Sequence, residues 1–122
     1  MSRPRQVVVI DDNRDIAELA CATVGSLNMS CITTSGLDEF LAALTPETDV
    51  ILMDMRMPDM NGRELMDLLA ARHCPAGIVL MSGVGSGSLK EAETYGRGIG
   101  LRMVGSLPKP FRVAELIEIL KR

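Results

Sequence analysis

The chain has no tryptophan, one tyrosine and two phenylalanines. The aromatic platforms on which single-stranded bases stack are therefore absent. Histidine occurs once, as His73, and the three cysteines, Cys21, Cys31 and Cys74, form no CxxC pair. A zinc-type site has no ligand set here. The thiols are scattered and odd in number, so they are expected to be reduced, in a cytosolic protein. Excess positive charge is missing too. The formal net charge is −3, which argues against direct binding to nucleic-acid phosphates. No apolar run approaches the roughly 20 residues that cross a bilayer, so no membrane contact is expected. The N-terminal MSRPRQVVVIDD has an apolar stretch only four residues long before two aspartates, which is not a signal peptide.

What remains is enough for one domain. The 122 residues are 47% hydrophobic, sufficient to bury a core. Nine methionines help fill it. VVVI at 7–10 reads as a strand buried on both faces. Asn13 is placed to cap a helix in which Ile16, Leu19, Ala20, Val24 and Leu27 recur at helical spacing. Met29–Thr33 suits a second strand, and Leu37, Phe40, Leu41 and Leu44 a short helix ended by Pro46. Val50–Met53 is a third strand. Asn61 with Glu64 opens a third helix, buried through Leu65, Leu68 and Leu69. Ile78–Met81 is a fourth strand, and the capping-box spacing of Ser88 and Glu91 predicts the start of a fourth helix. A fifth strand lies within Leu101–Leu107. Val113, Leu116, Ile117 and Leu120 mark a final amphipathic helix.

Five strand–helix repeats imply a parallel sheet covered on both faces, with its site beyond the carboxyl ends of the strands. In a 2-1-3-4-5 order, Asp11 and Asp12 at the end of the first strand meet Asp54 at the end of the third. Three clustered carboxylates repel unless a cation joins them. Oxygen-only ligands suit a hard ion, and Mg²⁺ is the natural candidate. A carboxylate beside Mg²⁺ is a competent nucleophile toward phosphorus, helped by a lysine and a hydroxyl. Both stand at strand ends: Ser82 after VLM and Lys109 in SLPKPF, where the Lys109–Pro110 bond is a candidate for cis. Singly these are weak signals. A serine after a strand is usually a cap, and a lysine near prolines a solvated charge. Their joint occurrence at four strand ends carries the weight.

DD at 11–12, ILMDMRMPDMNG at 51–62, Ser82 and KPF at 109–111 together resemble the receiver domain of bacterial two-component response regulators, over nearly the whole chain. The resemblance implies a flavodoxin-like (βα)₅ fold, α/β and doubly wound. It implies Asp54 as phosphoacceptor and Mg²⁺ held by Asp11, Asp12, Asp54 and the backbone carbonyl of Arg56. Asp12 would be a direct ligand and Asp11 would act partly through water. Ser82 and Lys109 would engage the phosphoryl group, and Pro58 and Gly62 would shape the loop. It further implies a cytoplasmic protein that catalyses only its own phosphoryl transfer and dephosphorylation. Its partners would be a sensor histidine kinase or phosphotransfer protein and an output domain. If a homodimer forms, its surface would be the fourth helix, fifth strand and fifth helix. The segment GLRMVGSLPKPF is similar to receivers joined to EAL-type cyclic-di-GMP phosphodiesterases, which would make that the output.

Two features depart from the pattern. Receivers commonly carry Tyr or Phe three residues before the lysine, where this chain has Ser106. Tyr95 does not substitute by position, so signalling is expected to run through the loop and fourth helix. The spacing from Ser82 to Lys109 is also longer than usual, and Gly83, Gly85 and Gly87 predict a mobile loop. Arg56 either shields the acyl phosphate or points to solvent, and Val84 would add apolar cover opposite. The final helix reaches Arg122 without a glycine or proline stop, as expected of a receiver that occupies 1–122 of a longer protein, and compatible with a free-standing one. A Mg²⁺-dependent phosphohydrolase would need a second positioned acid, but Met55 and Arg56 follow Asp54. A degenerate receiver would lack an acid that is present here. GVGSG lacks GxGxxG spacing, so it does not support nucleotide binding.

Overall fold

The run Val50–Asp54 is buried at every position and forms the middle strand, β3, of a five-stranded parallel sheet. The computed structural model describes residues 4–58, 60–83 and 86–122. The other strands are β1 (Gln6–Ile10), β2 (Ser30–Thr34), β4 (Gly77–Ser82) and β5 (Arg102–Pro108), in the order β2-β1-β3-β4-β5. Helices α1 (Arg14–Ser26), α2 (Leu37–Ala43), α3 (Gly62–Ala71), α4 (Ser86–Gly98) and α5 (Val113–Leu120) alternate with them. This is the flavodoxin-like doubly wound arrangement that the resemblance implies.

Alternation along β3 divides the core. Leu52 packs with Ala17, Ala20 and Val24 of α1 and with Leu116 and Ile119 of α5. Ile51 and Met53 pack on the other face with Phe40 of α2 and with Leu65, Met66 and Leu69 of α3. Each fully buried aliphatic side chain contributes about 1.5–3 kcal/mol, so the two layers anchor every crossover. Local signals set the helix starts. Asn13 accepts from the Ile16 N–H and Asn61 from the Glu64 N–H. Beyond α1 and α3 the chain turns through Asn28 and His73, both at positive φ, and beyond α4 through Gly100.

Several expectations shift. On α1 the buried stripe is Ala17, Ala20, Thr23 and Val24, and Leu19 is 40% exposed. The small face lies against the sheet and the larger leucine falls one position around the helix. On α5, Leu116, Ile119 and Leu120 form the buried stripe, with Val113 exposed in the first turn. Helix α4 begins at Ser86, so Ser88 lies within its first turn and Gly87 is helical rather than part of a loop. Val84 and Gly85 lie outside the described residues. Gly96 lets α4 press on β5: a Cβ there would stand 2.5 Å from Met103 Sδ.

The cysteine expectation is overturned. Cys21 and Cys31 are disulfide-bonded, with their Cα atoms 5.4 Å apart, and Cys74 alone is free. The chain turns near Asn28 and β2 runs back along α1. Six residues of helix and three of strand each cover about 9–10 Å, which brings the two thiols level. No helix among the described residues is long and apolar enough to cross a membrane.

Candidate acidic metal site

Strand register sets the site. Ile10 pairs with Met53, Asp54 with Met81, and Ser82 with Pro108. Asp11, Asp54, Ser82 and Lys109 therefore stand along the carboxyl edge of four adjacent strands. The loop after β3 is pinned by the Met55 N–H donating to the Met81 carbonyl and the Gly62 N–H to the Met55 carbonyl. Arg56 bridges to Asn61 across it, with its side chain exposed. The Lys109–Pro110 peptide bond is cis, and the Lys109 N–H donates to the Ser82 carbonyl at 2.7 Å.

One oxygen from each of Asp11, Asp12 and Asp54 falls within 4.8 Å of the others. Asp11 is buried, Asp54 is buried at 7% exposure, and Asp12 is exposed. Both Asp11 oxygens are engaged. Oδ1 accepts from the Asn13 N–H at 2.9 Å and Oδ2 from Lys109 Nζ at 2.7 Å. Lys109 lies farther from Asp54, 3.4 Å from its Oδ1. Burial raises the Asp54 carboxyl above the ordinary range, and the Asp11 charge raises it further. Lys109 and the Arg56 N–H oppose the shift. Lys109 thus pairs with two of the three clustered carboxylates. The donors are all oxygen, the set a hard divalent cation takes. An acidic cluster able to hold a metal is therefore present among the described residues.

The profile of the family described as the response regulator receiver domain matches residues 7–121. The chain belongs to that family. It is 31% identical over 117 residues to the DNA-binding transcriptional regulator NtrC of Salmonella typhimurium, covering 95% of this chain and 24% of that protein. The chain thus spans about a quarter of the length of that relative. A response regulator from Colwellia psychrerythraea superposes with a TM-score of 0.83 at 28% identity, covering 98% of this chain and 96% of that one. The chemotaxis response regulator CheY4 of Vibrio cholerae gives 0.79 at 26%, covering 98% of each chain. These relatives lend no support to a likeness to EAL-linked receivers.

In this receiver the predicted Asp11, Asp12, Asp54 and Lys109 converge. Ser82 ends β4 beside them, buried to 1% exposure. Arg56 enters through its backbone, its N–H holding the Asp54 carboxylate. Three contacts had no signal in the sequence. Ser106 Oγ donates to Glu93 Oε2 of α4 at 3.0 Å. Tyr95 of α4 donates its hydroxyl to Asp67 of α3, and the Arg63 guanidinium sits 4.1 Å above its ring. The i, i+4 spacing of Arg63 and Asp67 marks a shared helix face, but their partner on α4 has no local signature.

Proposed function

We propose that this receiver takes a phosphoryl group onto Asp54 from a phosphohistidine of a sensor histidine kinase or phosphotransfer protein in the cytoplasm, and thereby switches an output. The observation that carries this reading is the placement of Lys109 between Asp11 and Asp54 inside a cluster of three carboxylates. An Asp54 oxygen forms the new O–P bond as the donor's N–P bond breaks, and the electron pair leaves with the imidazole nitrogen. Attack requires the ionised carboxylate, which burial and Asp11 disfavour and Lys109 favours. Asp11, Asp12, Asp54 and the Arg56 carbonyl would hold Mg²⁺, which would supply the further positive charge that the transferring group needs. Lys109 stays anchored on Asp11 and pairs with a phosphoryl oxygen. The Ser82 hydroxyl donates to another.

The output is a further domain or a separate partner, reached across α4, β5 and α5, the same face through which a homodimer would form. The NtrC likeness favours a transcriptional regulator as the whole protein over an EAL-type phosphodiesterase.

The test is intact mass after incubation with acetyl phosphate and Mg²⁺, for the native chain and Asp54→Asn. One added phosphoryl group, about 80 Da, is expected, dependent on Mg²⁺ and lost in the variant. No added mass in the native chain, or equal addition to both, would sink the proposal.

A further inference from the structure

Cys21 and Cys31 take no part in the acidic site, yet they join the middle of α1 to the edge strand β2. Both are half-buried and pack against the edge of the core. Cys74 lies between α3 and β4, away from them in the chain.

Both elements have anchors besides this bond. Helix α1 is anchored by Ala17, Ala20 and Val24 in the core. Strand β2 is held by its ladder to β1, from Gln6↔Ser30 to Ile10↔Thr34. A reduced chain keeps both anchors, so its two thiols stay facing each other, ready to close again. In a reducing compartment, disulfides of otherwise stable domains are transient rather than structural.

Strand β2 has one neighbouring strand and exposes Ile32 to 51%. It is held by that ladder, by packing against α1 and α2, and by the staple. Three residues beyond Cys31, the Thr34 carbonyl accepts the Asp11 N–H at 3.1 Å. The Thr34 hydroxyl donates to the Val9 carbonyl at 2.7 Å. The edge strand thus grips the backbone of the residue that anchors Lys109.

We infer that Cys21 and Cys31 form a reversible redox site, oxidised by a small-molecule or protein disulfide, whose closure tightens the β2 edge and, through Thr34, the backbone of Asp11. One cysteine thiolate attacks the oxidant RSSR, forming a mixed disulfide and releasing RS⁻. The second attacks the protein sulfur of that mixed disulfide and releases the other RS⁻. Two cysteine thiols are oxidised, RSSR is reduced to two RSH, and the two thiol protons end on the released thiolates.

The test uses the full chain, reduced with dithiothreitol and then exposed to oxidised glutathione. Free thiols are capped with N-ethylmaleimide and counted by intact mass, with peptide mapping of any bond. One cap, at Cys74, and a Cys21–Cys31 linkage are expected, with three caps after reduction. Amide exchange by NMR is then compared between the two states. Exchange at β2 and at Asp11 is expected to slow several-fold on oxidation, with β4 unchanged. The Cys21→Ser/Cys31→Ser chain should exchange like the reduced form under both conditions. Three caps after oxidation, a stable glutathione adduct, or a bond to Cys74 would overturn the inference. So would equal exchange at β2 and Asp11, or loss of protection in β4 on reduction, which would make the bond structural. Phosphorylation of Asp54 enters none of these readouts, so the result is separate from the phosphoacceptor reading.

Discussion

Ser106 on β5 donates a hydrogen bond to Glu93 on α4, joining an edge strand to the helix that covers it. Glu93 also pairs with Arg97 at 3.3 Å, one turn along. At the position where the resemblance leads one to expect an aromatic ring, this receiver has a short polar link. Ser106→Ala is expected to cost about 1 kcal/mol in urea unfolding. A double-mutant cycle with Glu93→Ala should return a coupling of about 1 kcal/mol. Additive effects would show that the contact holds nothing.

Lys109 is ion-paired with both Asp11 and Asp54. Lys109→Ala leaves Asp11 and Asp54 buried without it. Removing one partner of a buried pair costs about 3–5 kcal/mol, and the 16% exposure of the lysine places the expected loss at the lower end. Thermal melts in metal-free buffer at neutral pH would measure it. Millimolar Mg²⁺ should restore part of the loss, because a ligand bound only to the folded state stabilises it.

Asp54 gives the pH dependence a definite sign. Its folded-state carboxyl sits above the ordinary value of 3.8, so without metal the folded protein holds this proton more readily than the unfolded chain. Stability then falls as pH rises from 3.8 through the raised folded value, and stays lower above it. Asp54→Asn removes this contribution. Its melting temperature at pH 7 without metal should exceed that of the native chain, with the gap closing as pH falls to 3.8 and below. Saturating Mg²⁺ should reverse the order. A gap that does not depend on pH would contradict this account.

Gly96 is where α4 comes closest to β5. An added methyl would meet the middle of the Met103 side chain. Overpacking of this kind costs about 1–3 kcal/mol, against about 1 kcal/mol gained from helix propensity. Gly96→Ala should therefore be neutral to moderately destabilising. Combining it with Met103→Ala should recover the propensity gain relative to Met103→Ala alone, as read from chemical denaturation midpoints.

The sheet and the acidic cluster were legible because each rests on a local signal. ILMD is a buried run ended by a charge, and the order of the strands then decides which strand ends meet. The rest depended on how each helix is turned about its axis. On α1, a rotation of one position exchanges Leu19 for Ala20 on the buried side, and small side chains carry too little hydropathy to announce the choice. The Cys21–Cys31 pairing needed the rises of helix and strand to be compared across a turn. Glu93–Ser106 and Tyr95–Asp67 join elements whose relative placement no local pattern encodes. The start of α4 was misplaced because the Ser88/Glu91 spacing matches a cap one turn too late.

The clamp around Tyr95 has an optical consequence. With no tryptophan and a single tyrosine in the chain, ultraviolet emission from the unlabelled protein comes almost wholly from one ring. That ring lies in the seam between α3 and α4, its hydroxyl on a carboxylate and its face under a guanidinium. Any slide of α4 against α3 changes both neighbours of the fluorophore at once. The molecule carries its own spectroscopic probe at the seam between α3 and α4.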